Sequence, residues 1–111
     1  MKLEKREEAG VIIIEMHGDV ERHEEDRLLA WLDGISAESP SRVVLNLGGL
    51  SYANSAVLGI IAKFYNDVIR RRGRLCACCL TPFVLKMFRV THINEVIRIF
   101  SMEKEAVRSL L

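Results

Sequence analysis

The chain has 111 residues, half of them hydrophobic and 28% charged, with a formal net charge of +1 at pH 7. That length suits one compact α/β-sized domain over residues 1–111, with enough core to need no metal or disulfide staple. The near-neutral mixture of acids and bases offers no bulk field for nucleic acid or an anionic membrane. No apolar run reaches the roughly 20 residues of a membrane span, and the charged start "MKLEKREEAG" lacks an apolar signal region. Three cysteines confined to "LCACCL" cannot build a disulfide framework, so a reducing, cytoplasmic setting is expected.

Residues 3–8 read as weakly extended, and the β-branched run "VIIIEMH" (11–17) between Gly10 and Gly18 reads as a strand. The two are expected to pair as a hairpin around Glu8, Ala9 and Gly10. After "GDVER", Leu28, Trp31, Leu32 and Ile35 fall on one face of a helix that ends near Gly34 to Ser36. "SPSR" is a loop in which Pro40 stops any continuation. "RVVLNL" (42–47) is a buried strand, and "GGLSYAN" is the turn after it.

The longest helix is expected over 55–72, with Val57, Leu58, Ile61, Phe64, Tyr65 and Val68 as its apolar stripe and Gly73 as its C-terminal stop. "RLCACCL" (74–80) reads as a strand, and Thr81-Pro82 opens a helix to about Val90, with threonine as cap and proline in its first turn. A short strand over 95–100 and a terminal helix capped by Ser101 complete the order ββαβαβαβα. Apolar strands alternating with helices imply a mostly parallel sheet of about four or five strands, covered by helices. In such folds the loops at the carboxyl ends of the strands gather function. Asn54 and Ser55 lie there.

Catalytic and metal chemistry find little support. Cys76, Cys78 and Cys79 lack a C-x-x-C spacing and read as small core hydrophobes. His17, His23 and His92 show no metal-ligand spacing, and Asp19, Glu21 and Asp26 read as solvated loop charges. "IRRRGR" (69–74) reads as cations opposing a helix C-terminus, without interleaved aromatics. "NLGGLS" lacks the G-K-[ST] of a phosphate loop, "ANSAV" lacks the glycines of a nucleophile elbow, and no base–acid set accompanies Ser55. No enzyme activity and no cofactor are expected. Taken alone, Asn54 reads as a helix cap with Ser55 in the first turn.

Residues 43–73, "VVLNLGGLSYANSAVLGIIAKFYNDVIRRRG", resemble the core of a STAS domain, the family of bacterial anti-sigma factor antagonists and sulphate-transporter tails. That family has an apolar strand, a turn, a D-S-[ST]-G-L-G segment opening a helix, and a glycine ending it. "GDVERHEEDRLLAWL" is similar to its G-x-[LV]-[DE] stretch, and "GRLCACCLTPFVLKMFRVTHINEVIRIF" to its later strand, S/T-P-x-[VL] helix start and closing T-G-L. The likeness spans almost the whole chain. It implies a non-enzymatic transcription regulator that binds an anti-sigma factor/serine kinase, which brings its own ATP and phosphorylates Ser55.

The implied contact surface is Glu21, Arg22, His23, Glu24, Tyr52, Asn54, Ser55, Ala56, Val57 and Leu58. Asn54 stands at the motif's Asp, Ala56 at its [ST], and Val57 at its Gly, where a side chain is expected to limit a partner's backbone approach. His92 stands at the Gly of T-G-L, where a positive φ is expected. The alternative is a STAS subunit or scaffold without a phosphoswitch, such as the partner of a lipid-transport ATPase. A third expectation, a nucleotide or lipid held at Gly48 and Gly49, rests on the glycines alone.

Overall fold

A computed structural model describes residues 1–38 and 41–111, so the loop expected at Pro40 lies partly outside the described residues. The chain runs β1 (Lys2–Glu8), β2 (Val11–His17), α1 (Glu25–Ser36), β3 (Arg42–Gly49), α2 (Ser55–Arg70), β4 (Arg74–Cys78), α3 (Pro82–Val90), β5 (Arg98–Phe100) and α4 (Glu103–Ser109). Single 3-10 turns occupy Arg22–Glu24 and Ile93–Glu95. The five strands lie side by side in chain order. β1 is antiparallel to β2, and every later neighbour pair is parallel. The expected α/β order and mostly parallel sheet are therefore present.

The β1–β2 connection is a two-residue turn in which Ala9 (φ 54°) and Gly10 (φ 77°) both take positive φ. That conformation matches the twist of the strands it joins. From β2 onward each crossover steps one strand further in the same direction. With one handedness, such steps put every connecting helix on the same face. Accordingly α1, α2 and α3 pack together on one side, with Leu32, Phe64 and Phe88 against Ile14, Leu45 and Ala77. Among the described residues the opposite side receives only α4, whose Ala106 and Val107, with Leu110 just past its end, cover Val11, Ile13, Val44, Cys76 and Cys78.

Beyond the reach of α4 that second face is charged. Arg6 donates to Glu15 (2.9 Å) and to Glu103 (2.6 Å), and the Asn46 amide also donates to Glu103 (3.0 Å). Glu103 is the first residue of α4, so these bonds set where the helix starts. Its cap is Met102, not the expected Ser101, and the helix ends at Ser109.

Three other boundaries differ from expectation. α2 ends just before Gly73, but the left-handed residue is Arg72 (φ 63°). The Arg72 N–H donates to the Ile69 carbonyl, and the Gly73 N–H to that of Val68 (both 2.9 Å). Gly73 is needed for a different reason: a Cβ there would lie 2.5 Å from the Ser41 carbonyl oxygen and 2.8 Å from Val68 Cγ1. β4 stops at Cys78 because Cys79 (φ 64°) turns the chain out of the sheet. β5 begins at Arg98 rather than residue 95, since the Glu95, Val96 and Ile97 N–H groups donate to turn carbonyls at His92 and Ile93. His92 does take the positive φ expected of it (63°).

Gly73→Ala should destabilise the fold by about 2 kcal/mol or more through that overlap. Gly59 lies in the exposed middle of α2, where an added methyl group would meet no neighbour within 4 Å. Gly59→Ala should therefore stabilise by about 0.5–1 kcal/mol. Urea unfolding of the two variants checks the opposite signs.

Arg6, and after it Asn46, holds the Glu103 carboxyl below the usual carboxylate range. A lowered folded pKa gives stability that is full above the unfolded value of about 4.3 and lost as pH falls through the folded value. Arg6→Gln should therefore make stability fall less steeply than in the parent between about pH 5 and pH 3, measured by urea unfolding across that range.

Candidate functional site

The loops after β2 and β3 meet at the carboxyl edge of the sheet. Close approach is built into the strands: a Cβ on Gly49 would lie 2.6 Å from the Met16 carbonyl oxygen and 2.9 Å from His17 Cα. The pairing also slips, with Glu15 opposite Asn46 but His17 opposite Gly49, so β3 carries one extra residue. The Asn46 side-chain oxygen accepts from the Gly48 N–H (3.0 Å) within this bulge. Gly48 and Gly49 are thus the end of a strand packed on its neighbour, and the expectation of a ligand loop there is not supported. Bulges of this kind re-aim the chain beyond them.

The segment after the bulge is pinned by Asp19. Its Oδ1 accepts from the backbone N–H of Ser51 (3.0 Å) and of Tyr52 (3.1 Å), and the Ser51 hydroxyl donates to the same carboxylate. Leu50 and Ala53 point inward and are fully buried, leaving Ser51 and Tyr52 exposed. The Thr81 hydroxyl donates to the Leu50 carbonyl (2.8 Å) instead of capping α3, which its backbone alone begins.

α2 then starts in the expected place. The Asn54 side-chain oxygen accepts from the Val57 N–H (2.9 Å), and the Asn54 carbonyl from the Leu58 N–H (3.0 Å). Ser55 is the first helical residue and is exposed, its hydroxyl without a hydrogen bond to any described residue. The first turn carries no acidic residue. The Ser55 and Ala56 N–H groups remain as free donors at the positive end of a 16-residue helix.

Of the residues expected to meet a partner, Tyr52, Ser55 and Ala56 are exposed and Asn54 half-exposed. Val57 and Leu58 are only 1% and 2% exposed, because they begin the apolar stripe of α2. They are core residues, which corrects their place in the contact set. The Val57 side chain points away from the surface and leaves a partner's approach open. Glu21, Arg22 and His23 are exposed on the 3-10 turn beyond Asp19, and Glu24 is half-buried. The Glu24 carboxylate accepts from the Glu21 N–H (3.0 Å), which holds its pKa below the usual range.

Two contributors were not legible in the sequence. Asp19 has the signature of a solvated loop charge. Phe83 lies off the Val84–Phe88 stripe of α3, is 40% exposed, and stacks on Tyr52 at 5.2 Å between ring centroids. An aromatic out of register with its helix's apolar stripe was the available signal.

The cysteines remain free; Cys76 and Cys78 are buried and Cys79 half-buried. Burial pushes the Cys76 and Cys78 thiols up, suiting them to packing rather than reactivity. His17 does not join Asp19, Glu21 or Asp26. It meets Glu15 (2.9 Å) and Glu4 (3.8 Å) across the β1–β2 pair, on the face that carries α4. These three offer donor atoms to a cation. Lys2 already pairs with Glu4 and Arg6 with Glu15, so charge there is locally balanced.

A mostly parallel α/β fold here clamps one loop at its carboxyl edge and exposes a helix N-terminus beside it. Residues 2–106 match the family model described as "STAS domain". The chain belongs to the STAS domain family. It is 23% identical over 111 residues to the anti-sigma F factor antagonist of Paenibacillus polymyxa, covering 99% of this chain and 95% of the relative. It is 31% identical over 91 residues to BtrV of Bordetella bronchiseptica, described as a candidate anti-sigma factor antagonist, covering 82% and 78%. Among solved structures, it superposes on an anti-sigma factor antagonist from Mycobacterium paratuberculosis with TM-score 0.88 at 16% identity, over 98% of this chain and 92% of that one. The unphosphorylated form of SpoIIAA gives 0.81 at 17% identity, over 99% of each chain. Its phosphorylated form from Bacillus gives 0.77 at 15%, over 99% and 100%. No helix among the described residues is long and apolar enough to cross a membrane.

Asp19→Ala should free the loop at Ser51 and Tyr52, raising amide exchange there before elsewhere and costing about 1–3 kcal/mol of stability. Asn54→Ala should cost about 1 kcal/mol and leave exchange at Ser51 unchanged, separating the cap from the clamp.

Proposed function

We propose that the protein is an anti-sigma factor antagonist, binding an anti-sigma factor/serine kinase through the carboxyl-edge surface around Ser55, and that phosphorylation of Ser55 releases the partner. The carrying observation is the exposed, unengaged Ser55 hydroxyl at the first position of α2, beside two free N–H groups. A phosphate there meets donors and a favourable dipole, so the helix tolerates it. The added charge of about −1.5 to −2 instead alters the surface that the partner covers. The names of the relatives support this reading. Glu21, Arg22, His23, Tyr52 and Phe83 flank the serine on the same edge and extend the contact.

A second reading, a STAS subunit that binds without switching, is favoured by Asn54. An asparagine caps as well as an aspartate but presents no negative charge beside the serine for a kinase to read.

Incubation with the cognate kinase and ATP, followed by mass spectrometry, should place one phosphate on Ser55. Ser55→Ala should bind the kinase normally and stay bound in ATP. Ser55→Asp should weaken binding by about a hundredfold. A stable complex with no phosphate after ATP would overturn the switch in favour of the second reading, and no complex at all would overturn both.

A further inference from the structure

The polar ladder across β1 and β2 holds a set of groups that the Ser55 surface does not use. Glu4 of β1 lies directly opposite Glu15 of β2, and His17 follows two residues after Glu15. By strand alternation the three side chains leave the same face, the one that carries α4. Two carboxylates placed opposite each other on neighbouring strands repel, so positive charge is favoured between them.

The individual oxygens show how that place is arranged. Glu4 gives its Oε1 to Lys2 (3.0 Å), and Glu15 gives its Oε1 to Arg6 (2.9 Å). Those pairs balance charge but occupy only one oxygen of each carboxylate. The second oxygen turns to His17: Oε2 of Glu15 lies 2.9 Å from Nε2, and Oε2 of Glu4 lies 3.8 Å from it. One donor atom from each of the three residues falls within 4.8 Å of the other two. Ligands about 2.0–2.2 Å from a zinc ion, at tetrahedral to octahedral angles, stand roughly 3–3.5 Å apart. A rotation of the exposed Glu4 side chain therefore closes the set around one ion.

The surroundings support the same geometry. Lys2 and Arg6 hold the outer oxygens and so orient both carboxylates, as hydrogen-bonded partners behind metal ligands do. Arg6 is shared with Glu8 and Glu103, which bring further negative charge to the ladder. A Cβ on Gly49 would lie 3.0 Å from His17 Nδ1, so the bare glycine gives the ring its room, with Nε2 left to the carboxylates. Glu4 and His17 are exposed, which leaves the outer side open to water.

We propose that Glu4 Oε2, Glu15 Oε2 and His17 Nε2 bind one divalent transition-metal ion of the zinc type, with water completing its shell. One imidazole and two carboxylates suit such an ion better than magnesium or calcium, which prefer oxygen alone. Nε2 donates its proton to Glu15 here; the ion takes that proton's place, and the proton leaves to water. The ion ties β1 to β2 at the open end of their hairpin, and it does so whatever the role of Ser55.

The test is a titration of the protein with zinc chloride, followed by calorimetry and by amide and imidazole shifts, with magnesium chloride as control. Zinc should fill one saturable site with shifts centred on Glu4, Glu15 and His17, and magnesium at the same concentration should not. His17→Ala should weaken zinc binding about tenfold or more, as should the paired substitution of Glu4→Gln and Glu15→Gln. Cys79→Ser, His23→Ala and His92→Ala, which remove other donors outside the core, should leave it unchanged. The substituted residues lie outside the buried core, so the variants should keep the dispersed spectrum of the folded protein. No saturable zinc binding, binding indifferent to His17→Ala or to the paired glutamate change, or binding lost with Cys79→Ser would overturn the proposal.

Discussion

One carboxylate organises the carboxyl edge of this sheet. Asp19, just past β2, gathers the backbone N–H groups of Ser51 and Tyr52 and the Ser51 hydroxyl from beyond β3. A charged acceptor on neutral donors makes a stronger hydrogen bond than a neutral pair, and here one acceptor takes three. The effect is to fix a loop that has no regular structure of its own. Leu50 and Ala53 anchor the same segment from below by burial, and Thr81 ties it to the start of α3. Only with that segment held does Asn54 arrive where its side chain can accept from Val57, and Ser55 face outward.

Chain order explains the asymmetry of the sheet. Its strands succeed one another in sequence, so the crossover helices crowd onto a single face. The other face has only the seven residues of α4, enough to cover Val11, Ile13, Val44, Cys76 and Cys78 but not the far end of β2 at Glu15 and His17. Polar ladders therefore replace apolar packing at that end: Glu4, Glu15 and His17 on one line, Arg6, Asn46 and Glu103 on the next. Arg6 links the N-terminal strand to the C-terminal helix, 97 residues apart in sequence.

Much of this is legible in the residues because it depends on local periodicity. β2 and the starts of α1, α2 and α3 come from runs of β-branched residues, from i, i+3, i+4 apolar spacing and from cap or proline signals that act within one turn. The boundaries that shifted are those settled by neighbours. Gly73 signalled a helix stop for its freedom in φ, yet it is required because Ser41 and Val68 leave no room for a Cβ. Ser101 looked like a cap, but Glu103 is drawn to Arg6 and Asn46 and the helix begins there. The strand expected from residue 95 lost three N–H groups to a turn.

Sequence alone determined the α/β order, the buried strands, the long helix and the position of a serine at its start, since each depends on side chains a few residues apart. Tertiary structure decided which of the flanking residues a partner can touch. Val57 and Leu58 share a loop-like motif with Ser55, but a helix turns by about 100° per residue, and packing against the sheet sends those two inward. The partners of Asp19, the Tyr52–Phe83 stack and the set of Glu4, Glu15 and His17 join residues from separate elements of the chain. No one-dimensional pattern specifies such meetings, because they depend on how the strands twist and the loops cross.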